Sequence, residues 1–258
     1  MTDAAPGLKV YWQPGCTSCL RAKEFLSARG IGFESINVRV EPGAAAALAE
    51  LGLRTVPVIA RGRDYVLGQD IDELARFVGV NVDRERLPPD VLVDRLQSLL
   101  AAAGAMLAAL PAEQLGTRLP QRERTWLDLG FHVAMIVQGL LEAAGGGRLE
   151  YEHYERRAPG DWRDAKPVVE FLESTAASLD AWWLTASDRP QLPVATYFGP
   201  QPLHALLERS AWHVAQHCRQ LESLLHDVAR VPGAPRLPEG VLAGLPVPAS
   251  VWDAEIRP

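Results

Sequence analysis

Two groups of residues in this 258-residue chain have types and spacings suited to chemistry. The first is Cys16 and Cys19, three positions apart, which follow a short apolar run and a Pro-Gly turn. If Cys16 opens a helix, free amide groups and the helix dipole stabilise its thiolate, and Arg21 and Lys23 add positive charge nearby. Cys19 lies one turn further along the same face, where it can resolve a mixed disulfide. This layout predicts a thiol-redox site at a strand-to-helix turn.

Two other readings of the cysteine pair stay open from sequence. A CxxC can be half of a zinc site, but the chain has no second CxxC and its only other cysteine is Cys218. The pair can also be two inert thiols. The strand-to-helix context favours redox chemistry over both.

The second group is three histidines in the latter half of the chain. His213 and His217 are four apart and share a helix face with leucines, and His132 lies on a similar apolar stripe with Leu129 and Ile136. Three imidazoles converging inside the protein would be costly to bury alone, and a divalent metal would satisfy them. The alternative is that each is a hydrogen-bonded core histidine. We expect the other histidines to be loop or surface residues and Cys218 to be a packed thiol; these histidines are His153, His204 and His226.

Composition excludes several classes of function. The net charge is −6 and no basic patch is present, so nucleic acid is not an expected partner. Three cysteines are too few for a disulfide scaffold, and no signal peptide is expected. We find no apolar run long enough to cross a bilayer, so we expect a soluble cytoplasmic protein with no membrane partner. Homodimer formation is left open.

Elements that would position the cysteines can be read over residues 1–85. Apolar runs and glycine or proline breaks predict four strands and three helices in the order βαβαββα, which is typical of an α/β layer fold. The expected strands and helices are Leu8–Trp12, Cys16–Arg29, Phe33–Val38, Pro42–Leu51, Thr55–Ala60, Arg63–Leu67 and a last helix from Asp70 to Phe77.

This region, about residues 7–80, resembles a glutaredoxin of the thioredoxin-fold group. The resemblance depends on Cys16-Thr-Ser-Cys19, on Thr55-Val56-Pro57 and on Gly68-Gln69-Asp70. It implies that Pro57 is cis and faces the thiols, and that the Val56 backbone pairs with a thiol substrate. It also implies that the Gly68–Asp70 turn receives the γ-glutamyl end of glutathione. Taken alone, Pro57 could be an edge-strand proline and Asp70 a helix cap.

The chain departs from the family pattern at two places. The residues between the cysteines are Thr-Ser, where many glutaredoxins have proline and an aromatic residue, which leaves the redox potential open. Gln13 stands where many have a lysine for the glycyl carboxylate of the tripeptide, and Arg54 is a candidate for that role. This second departure leaves the identity of the thiol open.

The remainder, residues 86–258, is predicted to be all-α. Arg86–Asp90 contains two prolines followed by a helix cap, which is typical of a boundary. Four long helices and a Pro-rich C-terminal tail then predict an antiparallel four-helix bundle, with long connections at 145–164 and 187–201. The expected helices are Val91–Leu110, Arg124–Ala144, Ala165–Ala186 and Pro202–Ala229. The fold class is therefore multidomain, a thioredoxin-like domain followed by an all-α domain.

The last of these helices resembles the closing helix of the DinB-like (YfiT-like) superfamily, a likeness that extends over about residues 88–230. The family motif is His-x3-His followed by an arginine, with one histidine on the second helix, which correspond here to His213, His217, Arg219 and His132. The resemblance implies that the three histidines hold a divalent metal, often zinc or nickel. Many members are transferases or isomerases that use glutathione, mycothiol or bacillithiol.

Together the two regions predict a protein that uses a low-molecular-weight thiol. An open three-histidine metal site can bind such a thiol as thiolate, and a glutaredoxin domain exchanges dithiol and disulfide with it through Cys16 and Cys19. We expect a thiol-dependent oxidoreductase or transferase acting on a disulfide or an electrophile. The alternative function is a non-catalytic redox or metal sensor or carrier.

Overall fold

The computed structural model describes residues 7–82, 84–119, 122–186 and 191–253. These residues form two compact units, one from residues up to 85 together with the segment from 248, and one from 86–247. From the sequence we predict that residues 86–258 form one domain. The return of residues 248–253 to the first unit differs from that expectation.

The first unit is an α/β layer with the predicted order of elements. The bounds of its elements are β1 Lys9–Trp12, α1 Thr17–Ser27, β2 Glu34–Asn37, α2 Ala44–Glu50, β3 Val58–Arg61, β4 Asp64–Leu67 and α3 Ile71–Val78. Its sheet has the order β2-β1-β3-β4, with β1 and β2 parallel and the other pairs antiparallel. The thioredoxin-like fold class predicted from the sequence is confirmed.

Both faces of the two central strands, β1 and β3, are buried, which explains why these strands are mostly apolar. Val10 packs with α1 and α3 on one face, whereas the next residue, Tyr11, packs with α2 on the other. The hairpin between β3 and β4 turns at Gly62, whose φ of 65° lies in the left-handed region that glycine tolerates. The layer therefore fixes α1, which begins directly after the first cysteine.

The segment 248–253 packs onto α1 within this unit. The carboxylate of Glu24 accepts hydrogen bonds from the amides of Ala249 (2.6 Å) and Ser250 (2.9 Å). Lys23 donates to Asp253 at 2.5 Å, and its ammonium group lies 3.7 Å from the centroid of the Trp12 ring. We call residues 248–253 the C-terminal strap.

The second unit contains four long helices, as the sequence predicts. The bounds of its elements are α4 Pro89–Ala109, α5 Trp126–Ala144, β5 Arg148–Leu149, α6 Lys166–Ala186, β6 Pro193–Thr196, β7 Gln201–Pro202 and α7 Leu203–Ser223. The helices α4 and α5 each pack against both α6 and α7, so the four helices form a ring in the order α4-α6-α5-α7. A small three-stranded sheet of order β5-β6-β7 lies within the two long connections, where the sequence predicts loops.

Two of these helices correct an expectation about apolar length. By length and composition, α4 and α5 are long and apolar enough to cross a membrane, with mean hydropathies of 1.4 and 1.3. The prediction that no apolar run is long enough was therefore wrong. The physical reason is that each packs against several helices and is apolar on more than one face; core helices of soluble proteins pass the same test.

Candidate functional site

The cysteine pair lies at the N-terminus of α1, where the sequence analysis placed it. Cys16 is the N-cap residue, and its Sγ accepts a hydrogen bond from the amide of Cys19 at 3.1 Å. The two cysteines form a disulfide with a Cα–Cα distance of 5.1 Å. Cys19 is fully buried, whereas Cys16 is only partly buried. The pair can thus exchange between dithiol and disulfide, with Cys16 the sulfur that an external reactant can reach.

The glutaredoxin resemblance implies several residues in thiol binding, and only some of them lie near Cys16. The Val56–Pro57 peptide bond is cis, as the resemblance implied, and the carbonyl oxygen of Val56 lies 3.9 Å from Cys16 Sγ. Gln69 Nε2 donates to that same carbonyl at 3.0 Å, and the amide of Gly68 donates to the Pro57 carbonyl at 3.0 Å. The structure therefore places the Val56 carbonyl near Cys16 and holds the Gly68–Gln69 segment against the same stretch of backbone.

Gly68 is at a place where no side chain fits. A Cβ atom there would lie 2.9 Å from Pro57 Cγ and 2.7 Å from Ile59 Cδ1. Asp70 follows it as the N-cap of α3, with its carboxylate accepting from the amide of Asp72 at 2.7 Å. Asp70 therefore caps α3 through one carboxylate oxygen. Its second carboxylate oxygen can accept hydrogen bonds from other donors.

Three further predicted residues lie at the edge of this region. Thr55 is partly buried, and Arg54 is exposed with no contact to the disulfide among the described residues. Gln13 accepts a hydrogen bond from Arg39 Nε at 3.2 Å. The sequence analysis missed Arg39, because only the parallel pairing of β1 with β2 places residues just after the two strands side by side.

The three histidines converge inside the second unit. His132 comes from α5, and His213 and His217 from α7; all three are buried, and one ligand atom of each lies within 4.8 Å of those of the others. Zinc holds imidazole nitrogens at about 2.1 Å, so nitrogens around one ion lie about 3.3 Å apart. Small side-chain rotations would bring the cluster to that spacing.

Hydrogen bonding at the cluster is suited to a metal. His217 Nδ1 lies 2.8 Å from Gln220 Oε1, an acceptor, so Nδ1 carries the proton and Nε2 presents a lone pair. Neither His217 Nε2 nor His132 Nδ1 has a hydrogen-bond partner among the described residues. Burial, together with the positive charge of Arg124, holds the pKa of both imidazoles well below the usual histidine value. Neutral imidazoles with buried free nitrogens fit a divalent ion.

Aromatic and basic side chains surround the histidines. The Tyr154 ring lies edge-on to His132 (5.8 Å between centroids) and to His213 (5.3 Å). Arg209, buried one turn before His213, donates to the hydroxyl oxygens of Tyr154 (2.7 Å) and Tyr197 (3.2 Å). Burial raises the pKa of both tyrosines, so the phenols stay protonated.

The small sheet explains how the two tyrosines reach this place. The pairing of β5 with β6 holds the two long connections together, and the amide of Tyr197 donates to the Leu149 carbonyl at 2.8 Å. Tyr154 ends a short 3-10 helix, and Arg124 Nη2 donates to its carbonyl oxygen at 2.7 Å. The sequence analysis noted that long connections often carry function but assigned no residue within them.

The remaining predicted residues have structural surroundings. Arg219, the arginine after the motif, donates to Gln216 Oε1 at 2.7 Å. Cys218 is fully buried, as expected of a packed thiol, and burial raises its pKa. His153 was expected in a loop or on the surface, but it is 3% exposed and its Nε2 lies 2.5 Å from Glu142. That prediction was wrong because the short 3-10 helix packs onto α5.

Comparisons with known proteins match the first unit. The glutaredoxin family model matches residues 8–66. The glutaredoxin-like protein NrdH of Lactococcus lactis is 33% identical over 68 residues, which are 26% of this chain and 94% of that protein. The glutaredoxin-like protein NrdH of Escherichia coli K12 is 38% identical over 55 residues, which are 21% of this chain and 68% of that protein. A mutant thioredoxin-like protein with a solved crystal structure is 25% identical in sequence to the matched part of this chain. The match covers 29% of this chain and 97% of that protein, with a TM-score of 0.28.

Proposed function

Through its first unit the chain belongs to the glutaredoxin family, and we propose that it joins a thiol-disulfide oxidoreductase to a DinB-like, metal-dependent thiol transferase or isomerase. The observation that carries the first half is the disulfide-forming pair at the start of α1. The observation that carries the second half is the buried cluster of His132, His213 and His217. Both sites are proposed to use glutathione or a related low-molecular-weight thiol.

The redox step follows from the exposure of the two sulfurs. The Cys16 thiolate attacks one sulfur of a mixed disulfide, forms a disulfide with it and releases the other sulfur as a thiolate. The Cys19 thiolate then attacks Cys16 Sγ, which closes the intramolecular disulfide and releases the substrate thiol. Two molecules of a small thiol reduce that disulfide again and leave as their own disulfide.

Thiol binding in this unit is proposed along the segment that contains Pro57. The amide of Val56 donates to no group among the described residues, and it adjoins the carbonyl that lies 3.9 Å from Cys16 Sγ. The turn at Gly68–Asp70 is proposed to receive the γ-glutamyl group, because Asp70 caps α3 there with one carboxylate oxygen and has the other left for further donors. We propose that Arg39, whose Nε donates to Gln13, binds the glycyl carboxylate of glutathione in preference to Arg54.

In the helical unit the three histidines would hold one divalent ion, zinc or nickel. Such an ion would act as a Lewis acid that stabilises the thiolate form of the small thiol. Water is excluded from this position because all three imidazoles are buried. Gln220 fixes the tautomer of His217 through its contact with Nδ1. The Tyr154 phenol accepts from Arg209, so its own proton can be donated to a bound ligand.

The setting and partners belong to the same proposal. A protein that keeps reduced cysteines and uses a small thiol fits the cytoplasm, where thiols stay reduced. Its partners are then a low-molecular-weight thiol and a disulfide or electrophile, and homodimer formation remains open.

Metal content of the purified chain tests the helical half. We expect about one zinc or nickel ion per chain, because three protein ligands and an open position make one tetrahedral site. His217→Ala should remove the ion, whereas the matched variant His226→Ala, which changes a histidine whose Nε2 lies 3.3 Å from the Pro235 carbonyl, should keep it. Full occupancy in His217→Ala would contradict the assignment.

Kinetics separate the enzyme from the alternative of a sensor or carrier. A thiol transferase should show saturable turnover of an electrophile that requires both the small thiol and the metal. Stoichiometric metal or thiol binding without turnover of any electrophile tested would favour the non-catalytic function.

A further inference from the structure

A series of buried hydrogen bonds links the helix that holds the cysteines to the segment before the cis proline. Arg21 lies on α1, and its charged side chain is buried. Its Nη2 donates to the backbone carbonyl of Gln69 at 2.9 Å. The side chain of Gln69 is buried as well, and its Nε2 donates to the carbonyl of Val56 at 3.0 Å. The series therefore ends at the carbonyl oxygen that lies 3.9 Å from Cys16 Sγ.

The Val56 carbonyl needs such a donor because it lies outside the sheet. The strand β3 begins two residues later, at Val58. A buried carbonyl that has no partner in a strand ladder must find another donor, and Gln69 supplies one from 13 positions further along the chain. In the disulfide, Cys16 Sγ carries no hydrogen and cannot be that donor. The position of Val56 therefore depends on a residue that is itself tied to α1.

The residue before Gln69 adds a second contact with the same segment. The amide of Gly68 donates to the Pro57 carbonyl at 3.0 Å. A Cβ atom on Gly68 would lie 2.9 Å from Pro57 Cγ and 3.3 Å from the Cβ atom of Ala22 on α1. This turn is therefore packed between α1 and the proline, and the side-chain amide of Gln69 is used inside the protein.

We propose that Gln69 and Arg21 are positioning residues for the thiol-disulfide exchange at Cys16. Through the Val56 carbonyl they fix, relative to α1, the segment whose backbone pairs with an incoming thiol substrate. A segment that is fixed before the substrate arrives favours substrates with peptide groups beside the reacting sulfur, such as glutathionyl or cysteinyl mixed disulfides. A disulfide without peptide groups gains nothing from it. The inference rests on the redox half of the proposed function and needs neither the metal nor the histidine cluster.

Single-step kinetics with two disulfides test this role. One is the mixed disulfide of glutathione with a cysteine-containing peptide, and the other is bis(2-hydroxyethyl) disulfide, which has no peptide group. All proteins are the reduced full chain with Cys19→Ser, so that the reaction stops once Cys16 has formed its mixed disulfide. The quantity compared is the ratio of the second-order rate constant for the glutathionyl peptide to that for the hydroxyethyl compound.

Removing the donor of Gln69 should lower this ratio. Gln69→Met keeps the size of the side chain and removes its amide, and we expect a fall of about tenfold, the rate equivalent of one lost buried hydrogen bond. Gln69→Glu keeps the shape and has no donor at neutral pH, so it should lower the ratio to a similar extent. Two different replacements guard against a folding defect that is specific to one of them.

Variants of arginine separate positioning from a general loss of stability, which would slow both reactions alike. Arg21→Met should lower the ratio, and adding it to Gln69→Met should have little further effect, because both act through the same carbonyl. Arg21→Lys keeps a donor and should recover most of the ratio. The matched control is Arg29→Met, since Arg29 donates to the Phe25 carbonyl at 3.1 Å; it should leave the ratio unchanged.

The outcomes distinguish failure of this inference from failure of the proposed function. If the parent reacts with neither disulfide, the redox half of the proposed function is wrong. If the parent reacts and both Gln69 variants keep its ratio, whether or not the two rates fall together, Gln69 has only a structural role. The inference is then wrong, and thiol-disulfide exchange at Cys16 stands.

Discussion

At the scale of single residues, unlike surroundings give different roles to residues of the same type. His153 and His217 are both buried, but both ring nitrogens of His153 have partners, Glu142 at one and Glu150 at the other. His217 has Gln220 at Nδ1, and its Nε2 has no partner among the described residues. A buried imidazole nitrogen that has no hydrogen-bond partner fits the role of a metal ligand, whereas burial of a histidine alone does not indicate that role.

The same contrast separates the two cysteines and gives a prediction. Cys16 caps α1 and is partly exposed, whereas Cys19 is fully buried, so an incoming disulfide should react at Cys16. With a glutathionylated substrate, Cys19→Ser should accumulate a mixed disulfide on Cys16, detected by mass spectrometry of the intact chain. The matched variant Cys16→Ser should accumulate none. An adduct on Cys19 in that variant would reverse the two roles.

At the scale of elements, segments distant in sequence are held together by short pieces of structure. The two-residue strand β5 pairs with β6 and so brings Tyr154 and Tyr197 within reach of Arg209 on α7. The C-terminal strap similarly returns to α1, where it covers Lys23 and Glu24. The surroundings of the histidines, and those of Lys23 and Glu24 on α1, therefore include groups from distant segments of the chain.

Removing one strap contact should loosen the strap measurably. Glu24→Ala removes the carboxylate that accepts from Ala249 and Ser250, and we expect a loss of about 1 kcal/mol in strap docking, because hydrogen bonds to a charged group are partly screened near the surface. Amide hydrogen exchange at 249–250 should speed up several-fold. Glu34→Ala, which removes an exposed ion pair with Lys9, is the control and should leave that exchange unchanged. Equal exchange in the two variants would contradict a strap held by Glu24.

At the scale of the whole molecule, two units of different fold carry the two candidate sites, the Cys16–Cys19 disulfide and the histidine cluster. The chain passes from the first unit to the second at residues 85–86 and returns at 247–248, so the units are joined by two chain crossings. Covalent linkage of this kind keeps each unit at a high effective concentration relative to the other, which would favour transfer of the small thiol that both sites are proposed to use.

Hydrogen exchange of the full chain should show that each site responds to its own reagent. Zinc should increase protection of α5 and α7, because binding a metal stabilises the elements that supply its ligands. Reduction with dithiothreitol should change exchange in α1, where the disulfide lies. His217→Ala should abolish the zinc effect and retain the dithiothreitol effect. Zinc-dependent protection confined to the first unit would place the metal on other ligands.

The sequence by itself determined the features that depend on local spacing. Cys16 and Cys19 lie one helical turn apart, and His213 and His217 share a helix face, because residues three and four apart are neighbours on any α-helix. The order of elements in the first unit and the four long helices of the second also followed from apolar periodicity and from glycine and proline breaks, with most ends shifted by up to a few residues.

Only the tertiary structure decided which distant residues meet. Tyr154 lies 55 positions before Arg209, and the strap lies more than 220 positions after Glu24, so no local pattern connects them. Strands of two residues, such as β5, are too short to produce an alternating pattern that sequence analysis could detect. The spacing of the histidines is visible in the sequence, but the packing that leaves His132 Nδ1 and His217 Nε2 without hydrogen-bond partners among the described residues is decided by the tertiary structure.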